Sequence, residues 1–573
     1  MPNPIRPTSA LTRGLAAVAA LACLAPPGLA ASPPPAAPKA EAAGLHVQIL
    51  GTTDVHGRIY PTSYYGDNGD APVGVARIQT LIKRQRARHP HSLLVDSGDC
   101  LQGTALTYHS ARIEPQAPNP MVQAYNFMGF DAFAVGNHEY NYDLPYLLKA
   151  RQEARYPFVS GNIYHHGTEQ PVFQPYVIKE VGGVRVGILG FTTPGVAVWD
   201  RRFVQGKHDF GDIAKACGRW LPEVRQQGVD AVIVVIHSGL GDPYDATFGG
   251  YSKDEGLPEE NVCAKLAEAY PQIDAILLGH SHKDLPKLLH HGVLLTQAKK
   301  WGERLAVVDL HFVRQGDRWR LTHKDSHTLS TEGVPPDPEV LAVARKAHEA
   351  TVRYVNSVVG ASTDVWSSER ARVEDTPIMD LVNEVQLAKT GAQLSSASVF
   401  NAGARLPKGE LRVKDIAALY VYENTLTSVT ITGAQLRAYL EHSARFYAPY
   451  KPGGPVFDEG QAAYNQDFVQ GVDYVIDVTQ PPGSRITALT YRGEPVRPDA
   501  SFTMALNSYR QNGGGGYTML KQAPLKEAIN VEIRELMLEW VRDRKTVDPK
   551  QLFRRNWRLA PEGVIAADGL HYR

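Results

Sequence analysis

Cysteine is scarce, at four in 573 residues. Removal of the N-terminal segment would leave Cys100, Cys217 and Cys263, an odd number, so at least one thiol has no partner within the chain. Net charge is absent as well: 60 basic residues face 60 acidic ones. No overall field then favours a nucleic acid polymer or an anionic membrane. No apolar run beyond the N-terminus approaches the ~18 residues that span a bilayer, and no solenoid repeat is visible. No G-x-S-x-G turn is present, which excludes a serine nucleophile elbow. What remains is a globular chain, 43% hydrophobic and 21% charged. Its length alone suggests three or four domains at about 150 residues each.

The N-terminus reads as an export signal over residues 1–30. Arg6 and Arg13 form its basic start, Gly14–Ala25 its apolar stretch, and Gly28-Leu29-Ala30 the small residues suited to cleavage. Residues 31–44 read as a Pro/Ala-rich linker. Cys23 suggests a lipoprotein signal, although Ala20-Leu21 fits that pattern poorly. Export permits a disulfide, and Cys217 with Cys263 is the candidate pair. Cys100 reads as a small buried hydrophobe.

Residues 45–334 alternate strands with helical stretches, which implies a layered α/β core. Helices are expected over Gly74–Arg88, Asp212–Gln227 and Glu259–Tyr270, and a strand over Arg185–Leu189. Prolines at 335–338 break the pattern, and Glu339–Val359 reads as one long helix within a 335–359 connector. Residues 360–560 form a second region with strands and helices of its own. Residues 561–573 read as a loose tail.

Five segments share one design, an apolar run stopped by a turn carrying Asp, His or Asn. They are Val47–Gly57, Leu93–Asp99, Phe133–Glu139, Val232–Gly239 and Ala275–His282. Ligands collect at the carboxyl ends of strands in open α/β sheets. Asp54 and His56 are two apart, a spacing that in extended backbone puts both on one side. His280 and His282 repeat it. Asp99 can bridge two cations, Asn137 offers a neutral oxygen, and His237 ends another strand. Mixed imidazole and carboxylate donors suit Mn, Zn, Co or Fe. Two such ions about 3.5–4 Å apart serve in-line phosphoryl displacement. His138, next to Asn137, could face the substrate and donate a proton to the leaving oxygen. His165-His166 and His290-His291 follow no such strand and read as surface residues.

With GNHEYNYDLPYL, VIHSGLGDPY, LYVYENTL, YNQDFVQGVDYVIDVTQP and the final NWRLAP, the chain resembles the periplasmic 5′-nucleotidase family of calcineurin-like metallophosphoesterases. Within it, the chain is most similar to bifunctional 2′,3′-cyclic-nucleotide 2′-phosphodiesterase/3′-nucleotidases. The resemblance covers nearly all of the mature chain. It implies a four-layer α/β/β/α metallophosphoesterase domain and a C-terminal α+β substrate domain. It implies that Asp54, His56, Asp99 and His282 ligate one divalent ion, and that Asp99, Asn137, His237 and His280 ligate the other. His138 would stabilise the transition state as an acid. Tyr422 and Tyr509 would sandwich a base, and Arg405 would bind substrate. The alternatives from the residues alone are core packing for the two tyrosines and a surface salt bridge for Arg405.

Two departures stand out. The family's 5′-nucleotidases carry Asp three residues after the catalytic His, and this chain has Asn141, which marks the cyclic-phosphodiesterase branch. Residues 395–410 are short and NAGAR-like, closer to the 5′-nucleotidases. The expectation is a periplasmic monomer without membrane insertion that converts nucleoside 2′,3′-cyclic phosphates to nucleoside and phosphate. Domain rotation is expected between binding and catalysis. The rival is a 5′-nucleotidase or nucleotide-sugar hydrolase. A rival of another class, a non-catalytic nucleotide-binding surface protein, would not need both metal sites.

Overall fold

The computed structural model describes residues 44–573 apart from 67–68 and 245–256. The expected signal, linker and Cys23 lie outside the described residues. Two domains are present, fewer than length alone suggests.

The first domain stacks two six-stranded sheets. One runs Arg318–Ser330, Arg304–Gln315, Gly44–Thr52, Ser92–Asp96, Ala132–Ala134, Phe158–Val159 in spatial order. The other runs Asp284–His290, Val293–Ala298, Ala275–Leu278, Ala231–His237, Val184–Thr192, Tyr176–Val181. The central strands of each sheet are parallel; both edges of the second sheet are antiparallel, whereas the first is antiparallel only on the Arg304–Gln315/Arg318–Ser330 side and ends in the parallel edge strand Phe158–Val159. Strands covered on both faces are apolar throughout rather than alternating. In Ala231–His237, Ile233 and Val235 enter the core between the sheets. Val232, Val234 and Ile236 enter a second core with Cys217, Leu221 and Val224 of the helix Ile213–Gln226. The other sheet is covered by the helix Val75–Arg88 through Ile78 and Ile82. The layers are therefore helix, sheet, sheet, helix.

Helices form close to the expected positions, with instructive differences. Asp212 caps its helix by accepting from the Lys215 amide. The helix expected from Glu259 starts only at Cys263. Glu260 and Asn261 are held out of it, because Ser238 Oγ–H donates to the Glu260 carbonyl at 2.8 Å and the Gly239 amide donates to Asn261 Oδ1 at 2.8 Å. The connecting helix is Pro338–Val355, capped by Asp337. It stops short of Val359 because Asn356 and Ser357 bond back onto it, and Val358–Ser362 pairs as a strand.

The second domain is built on a five-stranded sheet ordered Asp467–Gln470, Leu394–Ser398, Ser501–Asn507, Thr425–Thr432, Leu525–Glu532. Helices Pro377–Thr390, Gly433–Ala444 and Ile533–Arg544 contribute to its core. The C-terminal residues correct the loose-tail expectation. Tyr572 is 2% exposed, and its hydroxyl donates to the Ala448 carbonyl at 2.8 Å. The disulfide candidate is also corrected: Cys217 and Cys263 are free thiols packed in apolar surroundings, as is Cys100. Burial raises all three above the usual thiol range.

The two domains meet at named contacts. Glu423 accepts hydrogen bonds from Gln102 Nε2 (3.0 Å), the Tyr142 hydroxyl (2.8 Å) and Arg534 (3.1 Å). Arg112 pairs with Glu532 at 2.9 Å, and Arg202 donates to Thr425 Oγ1 at 2.8 Å. No helix among the described residues is long and apolar enough to cross a membrane.

Candidate metal centre

Three of the five segments, Val47–Gly57, Leu93–Asp99 and Ala275–His282, leave their strands through left-handed backbone. Among the described residues, twelve non-glycine residues have positive φ, and five of them are Asp54, His56, Asp99, His280 and His282. Left-handed backbone is uncommon outside glycine and costs roughly 1–2 kcal/mol per residue. The concentration corrects the extended-backbone argument for Asp54 and His56. The strand ends at Thr52, and left-handed backbone at Asp54 and His56, on either side of Val55, replaces strand alternation in setting the side-chain directions. Backbone bonds zip the first two loops together: Asp54 N–H to Gly98 O, His56 N–H to Asp99 O and Gly57 N–H to Cys100 O, each 2.9–3.0 Å. Gly98 is required here, with φ 96°, because a Cβ would come within 2.7 Å of the Gly136 nitrogen.

Donor atoms converge in three groups, each within 4.8 Å: Asp54/His56/His282, His56/Asp99/His138 and Asp54/Asp99/His237. Asn137 joins them, its Oδ1 3.0 Å from His237 Nε2. The imidazoles are aimed by their outer nitrogens, as ligand histidines commonly are. His237 Nδ1 lies 2.7 Å from the Ser97 carbonyl, leaving Nε2 facing Asp99 Oδ2 at 3.0 Å. His56 Nδ1 lies 3.2 Å from the Gln102 carbonyl, and its Nε2 is 3.1 Å from His282 Nε2. His280 stands outside the three groups. Its Nε2 is held by Glu260 Oε1 at 2.7 Å, and its ring lies 5.2 Å from that of His237.

Burial drives His56 down to about 3, reinforced by the nearby His138, so this ring keeps a lone pair at neutral pH. Burial would lower His237 too, but Asp99, Asp54 and Glu139 outweigh it and raise it to about 10. Burial would raise Asp54 and Asp99, yet neighbouring imidazoles hold both below the usual carboxylate range. Facing carboxylates hold a proton on His237 that a cation would displace.

His138 sits at the rim. Its amide donates to Asp99 Oδ1 at 2.8 Å, its Nε2 is 3.9 Å from Asp99 Oδ2, and its side chain is 35% exposed. Its Nδ1 lies 2.5 Å from Asn141 Oδ1. Burial would lower this ring; Asp99, Asn141 and Asp200 prevail and raise it.

Three residues near the site carry no role in the sequence reading. Glu139 is buried and accepts from four amides, those of Asp99, Cys100, Leu101 and Gly136, at 2.6–3.0 Å. It thereby fixes the Asp99 and Asn137 loops to each other. Asp200 stands behind Asn141, and Glu260 behind His280. Glu139 had a signal, a charged residue inside a buried turn; Glu260 and Asp200 had none, because only tertiary packing brings them in.

In the second domain, Tyr422 is 41% exposed, which is not the exposure of a core residue. Phe400 packs edge-on at 4.8 Å, and Tyr464, another unassigned ring, stands 6.2 Å away. Tyr509 is half-buried. Burial, then the phenol of Tyr464, raises its hydroxyl, and Glu260 acts on both rings. The same Glu260 holds His280. Gly514 is needed beside Tyr509, because a Cβ there would come within 2.5 Å of its ring. Arg405 lies exposed on a short strand, with no ion pair among the described residues.

Residues 47–284 match the calcineurin-like phosphoesterase family, and residues 358–522 match the 5′-nucleotidase C-terminal domain. A Haemophilus influenzae relative named 2′,3′-cyclic-nucleotide 2′-phosphodiesterase/3′-nucleotidase is 32% identical, over 90% of this chain and 88% of its own length. The trifunctional nucleotide phosphoesterase YfkN of Bacillus subtilis is 30% identical over 92% of this chain, which spans 40% of that longer protein. The crystal structure of a 5′-nucleotidase precursor from Thermus thermophilus shares the fold, with TM-score 0.61, 23% identity, and coverage of 90% of this chain and all of that one. With both domains matched and the likeness running nearly end to end, the chain belongs to the calcineurin-like phosphoesterases that carry a 5′-nucleotidase C-terminal domain.

Proposed function

We propose that the protein hydrolyses nucleoside 2′,3′-cyclic phosphates to 3′-nucleotides, and these to nucleoside and phosphate. Asp99 carries the reading. Its carboxylate belongs to two donor groups, one with Asp54 and His237 and one with His56 and His138. A carboxylate shared in this way suits a pair of cations. The donors are imidazole, carboxylate and one amide oxygen, which fit Mn, Zn, Co or Fe. We assign Asp54, His56, Asp99 and His282 to one ion, and Asp99, Asn137, His237 and His280 to the other. When bound, such a pair lowers the pKa of a water and draws charge from the phosphoryl oxygens.

The chain's own residues complete the chemistry. Water oxygen adds to phosphorus, its proton passing to solvent, as the P–O2′ bond breaks. The bond's electron pair leaves with O2′, which takes the proton of His138 Nε2. His138 regains a proton from solvent, and the second hydrolysis repeats the step at P–O3′. Tyr422 and Tyr509 stack the base, which is worth ~1–3 kcal/mol per base and tolerates any base. Arg405, exposed and with no ion pair among the described residues, binds substrate. The names borne by the Haemophilus relative support the substrate class. The Arg6–Ala30 segment supports export, and we place the protein in the periplasm as a monomer.

The test is an activity panel on purified protein: 2′,3′-cyclic AMP, 3′-AMP, 5′-AMP and a nucleotide sugar. The first two should be preferred. A clear preference for 5′-AMP would replace this substrate class with the 5′-nucleotidase reading, which the NAGAR-like segment at 395–410 favours.

A further inference from the structure

We propose that Asp200 positions His138 for proton donation, acting through the side-chain amide of Asn141. The inference rests on the reading of His138 as the proton donor.

Asn141 accepts from His138 Nδ1 through Oδ1 at 2.5 Å, and its Nδ2 lies 3.1 Å from both oxygens of Asp200. An amide offers hydrogens only from its nitrogen end. Turned the other way, Oδ1 would face a carboxylate, so Asp200 fixes which end of Asn141 meets the imidazole. That in turn fixes Nδ1 as the protonated outer nitrogen and directs Nε2 toward Asp99.

Other uses for this carboxylate are missing among the described residues. Asp200 precedes the short helix Arg201–Val204, but its side chain makes no cap hydrogen bond there. It is 4% exposed, and Asn141 is its hydrogen-bond partner. The charged groups acting on it are His138, Arg202 and the like charge of Asp99. Arg202 extends to Thr425 of the second domain. The segment is anchored independently of Asn141. The Thr193 amide donates to the His237 carbonyl at 2.9 Å, and the Trp199 ring stands 5.6 Å from that of His280. Asp200 is therefore delivered to the relay by the fold rather than drawn there by Asn141.

The experiment compares Asp200→Asn, His138→Ala and the double variant Asp200→Asn/Asn141→Asp with wild type. Substrates are 2′,3′-cyclic AMP and bis(p-nitrophenyl) phosphate, whose leaving phenolate needs no proton. Asp200→Asn should lower kcat on the cyclic nucleotide about 10- to 100-fold, part of what a general acid supplies, with KM nearly unchanged. The loss should shrink to within about threefold on the aryl ester, since that substrate draws little on a general acid. The double variant, with its carboxylate placed directly on Nδ1, should regain most of the rate. An unchanged kcat in Asp200→Asn, with His138→Ala impaired, rejects the inference and leaves the proton-donor reading intact. Equal losses on both substrates without rescue also reject it. Wild-type activity of His138→Ala on cyclic AMP rejects the proton-donor reading itself.

Discussion

The Nε2 atoms of His56 and His282 stand 3.1 Å apart, each at the tip of a left-handed turn. Two imidazole lone pairs at that distance need a proton or a cation between them. His56 is held neutral, so its Nε2 lone pair is available to a cation. Chelation should abolish phosphate release, and Mn, Co or Zn should restore it. The metal should also stabilise the fold, by about 2.7 kcal/mol at a hundredfold excess over Kd. Thermal melts with and without chelator measure this, and identical melting temperatures would speak against a resident metal.

Asp99 and Tyr509 should fail in different ways. Asp99→Asn weakens both donor groups it belongs to and should cut kcat on the order of 10³-fold, comparable with other electrostatic deletions. Tyr509→Ala removes a stacking surface worth ~1–3 kcal/mol and should mainly raise KM. Steady-state kinetics on 3′-AMP separate the two, and the reverse ranking would contradict both assignments.

Glu139 touches no substrate, yet it gathers four amides from two ligand loops. In Glu139→Gln an N–H₂ group must face some of those donors. Metal affinity should drop about 10- to 100-fold, as when other supporting partners of ligands are removed. Competition with a chelating dye reads this directly, and unaltered affinity would refute the role.

Asp380, 2% exposed in the second domain, titrates far from the site. Burial raises it; the Arg554 amide offsets part of that and Asp375 adds to it, leaving it at about 7. The folded state thus keeps a proton that the unfolded chain releases near pH 4. Stability from this group is full below pH ~4 and is lost as pH rises through about 7, by on the order of 4 kcal/mol at most. Asp380→Asn should flatten that part of the pH dependence. Urea unfolding at pH 5 and pH 8 gives the slopes for both proteins, and equal slopes would contradict the assignment.

The layered fold was legible in the sequence because doubly covered strands such as Ala231–His237 are apolar on both faces. The ligand candidates were legible because those strands stop abruptly at polar turns. The way they converge was not. Left-handed backbone at Asp54 and His56 leaves no mark in periodicity, and extended spacing stood in for it wrongly. Asp200 and Glu260 were invisible for a simpler reason: each is distant in sequence from the residue it supports, 59 positions from Asn141 and 20 from His280. The tail misled because its anchors, the buried side chains of Val564 and Tyr572 and backbone bonds to residues 453–456, are eight residues apart and follow no helical or strand period.

Glu423 binds Gln102 and Tyr142 across the seam between the domains, and Arg534 on its own side. When the halves part, two neutral donors depart and the counter-ion stays. A buried carboxylate stripped of its only cation would resist separation strongly; this one is never stripped. At Glu423 the seam works as a press-stud rather than a weld: its charge stays paired with Arg534 whichever neutral donors face it from across the seam.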